Sequence, residues 1–557
     1  MLKKIKINNF FKNNIFIVFS FFVTSILSGI FMYHSHFVSV NFDLFFHYQR
    51  IAEIKSSIIN GSFPSIVSFN AFNNSGSAVM SMYPQYNLLP IVLLSFFIKS
   101  SVDLFHIVFI TTIFIGLIIS YFSSYSYNSS KKISFIFSLA YIINARALCY
   151  YYGLAYSIGT ISSIIILPLV FFGLLNFLEK NKWVELSIGV SLLLLSHVLS
   201  FGIVLSFIFI LLVLNISKFY NNRNKILSLI KSILTSILLT SIFWIPFINI
   251  SFNNKLFIPE VSTLSGDSFQ NVFAVFDNNV NTSITLISFI GIILCVIKYK
   301  FLSTTLKQLF WISVMFLIMS SDLFPWNILS KTFLIHLQFP YRLNIIPQII
   351  LCYLFSVIFI RYINGFKKST LMIVLLSISI IFLQMDAQKS LVNKYSSNPE
   401  LQTHYVSSLN TLLRNNNDFK KMLEDSSVTT DYYPKKSMNI SYNIGNHIAT
   451  YDNKKIKINH KKNGTFTFQN DTNIKKLSLP IIYYKGLSYQ VFLDGKKTSI
   501  SHDINDLMTI SNISKGSHKI KIKTNRSILN IFSYLLSLTG LLIITFCISK
   551  NLKEKSN

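Results

Sequence analysis

Apolar runs near the length of a membrane crossing recur along this chain, and they constrain its fold more than any other feature. They fall at roughly 14–32, 102–121, 133–149, 156–177, 184–197, 198–216, 227–249, 283–297, 308–320, 340–360, 369–385 and 528–548. About 20 apolar residues in a helix cover the hydrocarbon core of a bilayer, and some of these runs are shorter. The 557 residues are 52% hydrophobic and 13% charged, with a mean hydropathy of +0.51, more apolar surface than a soluble protein of this size needs. The expected fold class is a polytopic α-helical membrane protein of about twelve transmembrane helices. Lys3, Lys4, Lys6 and Lys12 precede the first run without a small-residue cleavage site, so that run reads as an uncleaved first span.

Charge orients the spans. Segment 86–98 is also apolar but short for a crossing, and counting it would invert everything after it. With 86–98 half-inserted or interfacial, the inner loops hold Lys131 and Lys132; Lys180 and Lys182; Lys218, Arg223 and Lys225; Lys298, Lys300 and Lys307; and Arg361, Lys367 and Lys368. Lys550, Lys553 and Lys555 follow in the tail, so every inner segment is basic. The expectation is a multi-pass plasma-membrane protein with both termini cytoplasmic. These loops and a second basic cluster in a C-terminal soluble segment account for the net charge of +29, so no nucleic-acid partner is expected. Membrane lipids and anionic wall polymers are the expected neighbours of that cluster. Cys149, Cys295, Cys352 and Cys547 lie in or beside apolar spans without metal-ligand spacing, and read as buried thiols.

The expected domains are a transmembrane unit over 1–385 with an outer loop at 33–101, an outer segment at 386–527, and a last span with its tail at 528–557. Within the outer segment, 386–425 reads as a helical linker. Residues 426–526 read as a β-sandwich, from the alternating runs KSMNISYNI, KIKINHK, GTFTFQN, KKLSLPIIYY, SYQVFLDGK, LMTISNI and HKIKIKT. Asp494-Gly495 marks a hairpin.

The loop after the first span carries a carboxylate, an imidazole and a guanidinium at Asp43, His47 and Arg50. On a helix, spacings of four and three put all three on one face. The outward carboxylates near the membrane are Asp43, Glu53, Asp103, Glu260, Asp267, Asp277 and Asp322. Asp43 follows a span directly and is flanked by Val40, Phe42 and Leu44, so partial burial would raise its basicity. A base here could take a proton from an acceptor hydroxyl, and Asp43 also suits a helix N-cap; the two roles are compatible. His47 reads as a substrate contact or a packed imidazole, one His beside one Asp being thin grounds for a metal. Arg50 could pair with a lipid phosphate or snorkel to the interface.

Gly61, Pro64, Asn73, Gly76, Tyr83 and Pro84 suit a loop that turns back towards the membrane, with Tyr83 a sugar-stacking ring or an interfacial anchor. Two further outer patches hold Arg146, and Gln338 with Tyr341 and Arg342, where Pro340 suits the first turn of a helix. Three loops each offering one arginine, Arg50, Arg146 and Arg342, would make a phosphate clamp. His197, beside Ser196, is an ionisable group between two spans. There is no Walker loop, dinucleotide fingerprint, HExxH or GxSxG, which disfavours an ATP-driven pump. No cofactor and no metal is expected.

Ordered motifs carry a family resemblance: D-L-F-F-H-Y-Q-R at 43–50, N-G-S-F-P at 60–64, Y-P at 83–84, Q-F-P-Y-R at 338–342, D-Y-Y-P at 431–434 and L-P-I-I-Y-Y-K-G at 479–486. On these the chain resembles the bacterial YfhO-like multispanning proteins, related to the membrane proteins called 6-pyruvoyl-tetrahydropterin synthase related. The resemblance implies the GT-C glycosyltransferase architecture and a polyprenyl-phosphate-linked sugar as donor. It implies chemistry on the outer face, with an acidic residue on the first outer loop as catalytic base, matched here by Asp43. Many such enzymes pair two acidic residues there, whereas this chain reads Asn41-Phe42-Asp43, which puts metal dependence in doubt. The implied acceptors are cell-wall or teichoic-acid polymers or lipid-linked glycans. The β-domain would hold the acceptor or only cover the site. On this reading Asp43 is catalytic, while His47, Arg50, Tyr83, Arg146, Gln338 and Arg342 bind substrate. The competing readings are a lipid-linked glycan transporter or flippase and a non-catalytic envelope-assembly protein. Few ionisable groups in mid-span weigh against transport.

Overall fold

The computed structural model describes residues 11, 13–40, 43–143, 156–258, 263–275, 282–397, 411–424, 430–461 and 463–556. Twelve apolar helices make up the membrane bundle among these residues: α1 (Asn14–Ser35), α3 (Ser101–Asn128), α4 (Lys131–Ser138), α5 (Ile158–Lys180), α6 (Val184–Leu194), α7 (Val198–Leu214), α8 (Arg223–Asn253), α9 (Leu286–Ile297), α10 (Thr304–Ser320), α11 (Ile345–Ile363), α12 (Ser369–Ser396) and α14 (Ile528–Ser556). The chain is a multi-pass membrane protein. Seven of the helices are long and apolar enough to cross alone, and α6, α7, α9 and α10 are shorter apolar helices. Asn13, Ser100, Ser130, Asn222, Thr285 and Ser303 each accept a backbone N–H of the helix they precede, which is why these boundaries fall at Ser, Thr and Asn.

Burial separates the axis of the bundle from its rim. The span containing α11 is 94% buried, whereas those of α12 and α14 are 17% buried and leave Phe382 and Phe546 for lipid. α14 docks on α8 through small residues. A Cβ on Gly540 would stand 2.7 Å from the Leu239 nitrogen, and the Ser241 hydroxyl donates to the Ser533 carbonyl at 2.8 Å. Segment 86–98 holds one six-residue helix, Leu89–Leu94, about 9 Å long and far short of a crossing. Cys295, Cys352 and Cys547 are free thiols, and Cys149 lies outside the described residues.

At one end of the bundle α2 (Leu44–Ile59) follows β1 (Val38–Val40). The expected helical linker at 386–425 is not helical throughout: β2 (Thr411–Leu413) pairs antiparallel with β1, Val38 opposite Leu413. α13 (Asn416–Glu424) follows, and Asn416 ties it to Ser101 and Lys99 at the start of α3.

Ten further strands form two five-stranded sheets. They are β3 (Ile448–Tyr451), β4 (Lys454–Lys457), β5 (Asn459–Lys461), β6 (Thr465–Asn470), β7 (Ile474–Ile482), β8 (Ser488–Leu493), β9 (Lys496–Thr498), β10 (Ser501–His502), β11 (Leu507–Ile513) and β12 (Gly516–Asn525). The sheet orders are β10-β11-β7-β3-β4 and β5-β6-β12-β8-β9, with Leu477, Leu479, Ile510, Phe466, Ile520 and Ile522 buried between them. Asp494 and Gly495 join β8 to β9 with φ of 50° and 81°, the two positive values of a type I′ hairpin. The run at 436–444 is helical turn rather than strand, over Lys435–Ile440 and Ser441–Gly445, with Pro434 at its start and the Asn446 amide bonding back to the Tyr442 carbonyl. The sandwich sits on the loop that follows α2: Ile482 N–H donates to Ser75, and Asn463 bonds to both Asn60 and Asn70.

Candidate functional site

The site grows from α2 and the loop it holds. Residues three and four apart share a helix face, so Asp43, His47, Arg50 and Glu53 line one side of this segment. The lower part of that face shapes the loop. Glu53 accepts from the Ser68 hydroxyl at 2.8 Å and the Asn70 N–H at 2.7 Å, and Gln49 accepts from the Phe72 N–H at 2.5 Å. Gln85 bridges both backbone groups of Ser65. Glu53 thus spends its oxygens on turning the chain, and burial pushes its pKa up.

Arg50 is the keystone of this loop. Its side chain is fully buried, with the guanidinium 4.3 Å from the Tyr83 ring centre and 5.5 Å from that of Phe46. It donates to the carbonyls of Tyr83 and Pro84 and to His47 Nδ1, the last at 3.1 Å. Arginine can only donate, so His47 is neutral here with its proton on Nε2. Burial and the neighbouring guanidinium both hold the His47 pKa well below its ordinary value. Burial lowers Arg50 itself to about 10, which leaves it charged at neutral pH.

Tyr83, in extended conformation after the short helix Val79–Met82, links three elements. Its ring lies 5.8 Å from those of His47 and His197 and 5.6 Å from that of Phe46. Its hydroxyl stands 2.6 Å from where a Cβ on Gly159 would be, and His197 Cδ2 stands 2.9 Å from the same point. A glycine in the first turn of α5 is therefore what admits Tyr83 and His197 together. His197 caps α7, its Nδ1 bonded to the Ser200 hydroxyl at 2.8 Å and to the Ser200 N–H at 3.3 Å.

Asp43 stands at the rim of this buried cluster. It occupies the N-cap position of α2, yet its side chain makes no capping hydrogen bond; only its carbonyl accepts, from the His47 N–H at 2.9 Å. The Ser157 hydroxyl, just ahead of α5, and the charge of Arg342 both favour the ionised form of this half-buried carboxylate. Burial outweighs both and raises its pKa. Arg342 is held by the Gln338 side chain at 2.9 Å and the Leu337 carbonyl at 3.3 Å, over the Phe339 ring at 5.0 Å. Pro340 opens the 3-10 turn Pro340–Asn344 that carries it.

Asp431 and Tyr432 complete the site from 388 residues along the chain. Tyr432 N–H donates to Phe257 and Phe257 N–H to Tyr433, while the Tyr433 hydroxyl reaches Ser75 at 2.9 Å and the Tyr484 hydroxyl reaches the Tyr432 carbonyl at 3.0 Å. This clamp fixes the backbone beside Asp431; burial, then the Asp43 charge, raises the Asp431 pKa. At Tyr432, with φ of 64°, burial and then the Asp431 charge push the pKa up to about 12 against the lowering charge of Arg50.

Of the residues singled out in the sequence, Asp43, His47, Arg50, Tyr83, His197, Gln338 and Arg342 gather here. Arg146, Glu260 and Asp277 lie outside the described residues, as do Asn41 and Phe42. Asp103 sits in the first turn of α3, and Asp322 accepts from the Phe269 N–H at 3.1 Å, so both serve local structure. Asp267 bonds through its backbone to 320–322. Ser157 carried no signal in the sequence, and Asp431 was visible only as the first letter of D-Y-Y-P. Among the described residues, no group of three or more His, Cys, Asp or Glu is gathered as a metal site.

No family model matches the sequence, and no curated protein is significantly similar to it. Among solved structures, ArnT from Cupriavidus metallidurans in the apo state is similar over 67% of this chain and 74% of that chain, at 11% identity and a TM-score of 0.37. At that score the two share too little for one to inform the chemistry of the other.

Proposed function

We propose that this chain is a membrane glycosyltransferase of the GT-C type, moving a sugar from a polyprenyl-phosphate donor to a cell-envelope polymer or lipid-linked glycan. The single observation that carries the reading is a half-buried carboxylate of raised basicity, Asp43, within electrostatic reach of the Arg342 cation, next to the cluster of His47, Arg50, Tyr83 and His197. Those are the two groups a sugar transfer from a lipid phosphate needs. Asp43 takes the proton of the acceptor hydroxyl as that oxygen bonds to the anomeric carbon. The bond from the anomeric carbon to the phosphate oxygen breaks, and the lipid phosphate departs with its charge against Arg342. Inversion at the sugar follows from direct displacement.

Arg50 acts one layer below. With its guanidinium committed to Tyr83, Pro84 and His47, it fixes the ring and the imidazole under the reacting groups rather than meeting the phosphate. On this reading the site faces the outside of the cell, with both termini cytoplasmic. The acceptor belongs to the wall or is carried on lipid.

The test compares wall polymers and lipid-linked sugars from cells with the wild-type protein, without it, and with Asp43→Asn. The expected result is one glycosyl substituent missing in both altered strains, with its lipid-linked donor accumulating. A fully active Asp43→Asn protein sinks the reading.

A further inference from the structure

The basic residues of the sandwich are not scattered over it. Residues 430–527 hold sixteen Lys and one Arg against six Asp and no Glu. Strand register sorts them. In antiparallel sheets, residues directly opposite each other share a face. Lys521 stands opposite Thr465 of β6 and Phe492 of β8; Thr465 stands opposite Lys461 of β5, and Phe492 opposite Lys497 of β9. One row across the whole sheet therefore reads Lys461, Thr465, Lys521, Phe492, Lys497. Along β12, alternate residues add Lys519 and Lys523 to the same face, while Ile520 and Ile522 point into the core. All five lysines are exposed.

Nothing neutralises them. Among the described residues the ion pairs are Lys420 with Glu424, His502 with Asp506 and His518 with Asp494, and none involves this face. The nearest acid, Asp494, is bound to the His518 ring at 2.7 Å and the Lys519 N–H at 2.8 Å. Five like charges thus occupy a patch about 19 Å across five strands and about 13 Å along β12. Between them lie the half-buried ring of Phe492 and the hydroxyl of the half-buried Thr467, groups that suit a sugar or polyol.

We propose that this face binds a linear polyanionic glycan, an extended polymer bearing phosphodiester or carboxylate groups. Charge complementarity selects a polyanion, and the geometry selects a polymer over a lipid surface. β12 ends at Asn525 and the membrane helix α14 begins at Ile528, so the lysine column starts beside the bilayer and runs along the strand away from the membrane entry. The far end of the row adjoins the site loop: Asn463, between Lys461 and Thr465, bonds to Asn60 and Asn70. A polymer lying on the row is led towards α2. That this polymer is the acceptor rests on the proposed transferase reading; its binding does not.

The experiment uses the full chain in nanodiscs of neutral lipid and measures binding of labelled poly(glycerol phosphate) and, separately, polygalacturonate, with dextran as the uncharged control. Lys519→Ser, Lys521→Ser and Lys523→Ser together are expected to weaken binding at least about tenfold, and to lower the slope of log affinity against log salt by about 2, at ~0.7 per contact. The same three positions changed to Arg stay within about twofold, which separates loss of charge from loss of fold. Lys454→Ser, Lys455→Ser and Lys457→Ser on β4, in the other sheet, remove equal charge and change binding less than about twofold. Whichever polymer binds identifies the acid group. No binding of either polymer, equal loss in both triple variants, or tighter binding to phosphatidylglycerol vesicles than to polymer overturns the proposal. Because binding is read without turnover, an inactive protein that still holds the polymer refutes the transferase and leaves this surface standing.

Discussion

Arg50 and the lysines of β12 carry the same charge and sit in opposite settings. Arg50 has no exposed surface and no carboxylate; backbone carbonyls, an imidazole and two rings surround it. The lysines are exposed and, among the described residues, belong to no ion pair. A buried cation that has exchanged water for fixed dipoles holds geometry, and removing it leaves carbonyls unmet in an apolar place. An exposed cation held only by water costs nothing to lose and changes only what the surface attracts. The first kind of charge supports a site; the second kind recognises a partner.

The largest effect should come from breaking the first region. Arg50→Ala removes a large buried side chain and strands the carbonyls of Tyr83 and Pro84, at a cost of about 3–5 kcal/mol, typical of large-to-small core changes. Arg50→Lys recovers only part of it, because an ammonium cannot stack flat on Tyr83 while bonding in three directions. The three-lysine variant on β12 stays within about 0.5 kcal/mol of wild type, as surface changes do. Thermal unfolding in detergent measures all three, and an Arg50→Ala midpoint equal to that of the lysine variant would erase the contrast.

A medium effect sharpens it. Gly159→Ala puts a methyl 2.6 Å from the Tyr83 hydroxyl and 2.9 Å from His197, so one of the rings must move, for about 1–3 kcal/mol. Gly202, in α7, has nothing within 4 Å of the same position, and Gly202→Ala should stabilise by a few tenths to about 1 kcal/mol through helix propensity alone. Opposite signs for two glycine-to-alanine changes in membrane helices would show that Tyr83 and His197 are held at contact distance. Equal signs would mean the cluster is slack.

The bundle and most strands of the sandwich were legible because their signals are local; the run at 436–444 alternated like a strand but is helical turn. Apolar runs and alternating Lys-Ile-Lys-Ile patterns each report on their own few residues, and the turn at Asp494-Gly495 reports on two. What pairs across long separations was not legible. β1 joins β2 across more than 370 residues, which is why 386–425 read as a helical linker. The site divides in the same way. Asp43, His47 and Arg50 announced themselves by helical spacing, but which of the three would be sealed under the loop depended on where Tyr83 and Pro84 came to lie. Arg50 read as a free phosphate ligand because its partners are backbone carbonyls, which no sequence displays. Asp431 is brought in by a clamp of Phe257, Ser75 and Tyr484 that has no local signature.

The smallest effect concerns the two electrostatically coupled carboxylates, Asp43 and Asp431, and carries a definite sign. Burial raises the pKa of both Asp43 and Asp431, and the Asp43 charge adds to the shift on Asp431. In the window between the ordinary carboxylate pKa and these raised values, the folded protein holds more protons than the unfolded chain. Stability is therefore fully present below about pH 4 and declines as pH rises through the folded values. Asp431→Asn removes its share of that decline, so its unfolding midpoint should match wild type near pH 4 and exceed it at pH 7. Asp43→Asn should behave in the same way while losing transfer, the signature of a group kept at a cost to stability for the sake of chemistry. An Asp43→Asn protein that is less stable than wild type at pH 7 would mean that the Ser157 hydroxyl and the Arg342 charge outweigh burial, and Asp43 would then belong with Arg50 among the groups that hold the loop in shape.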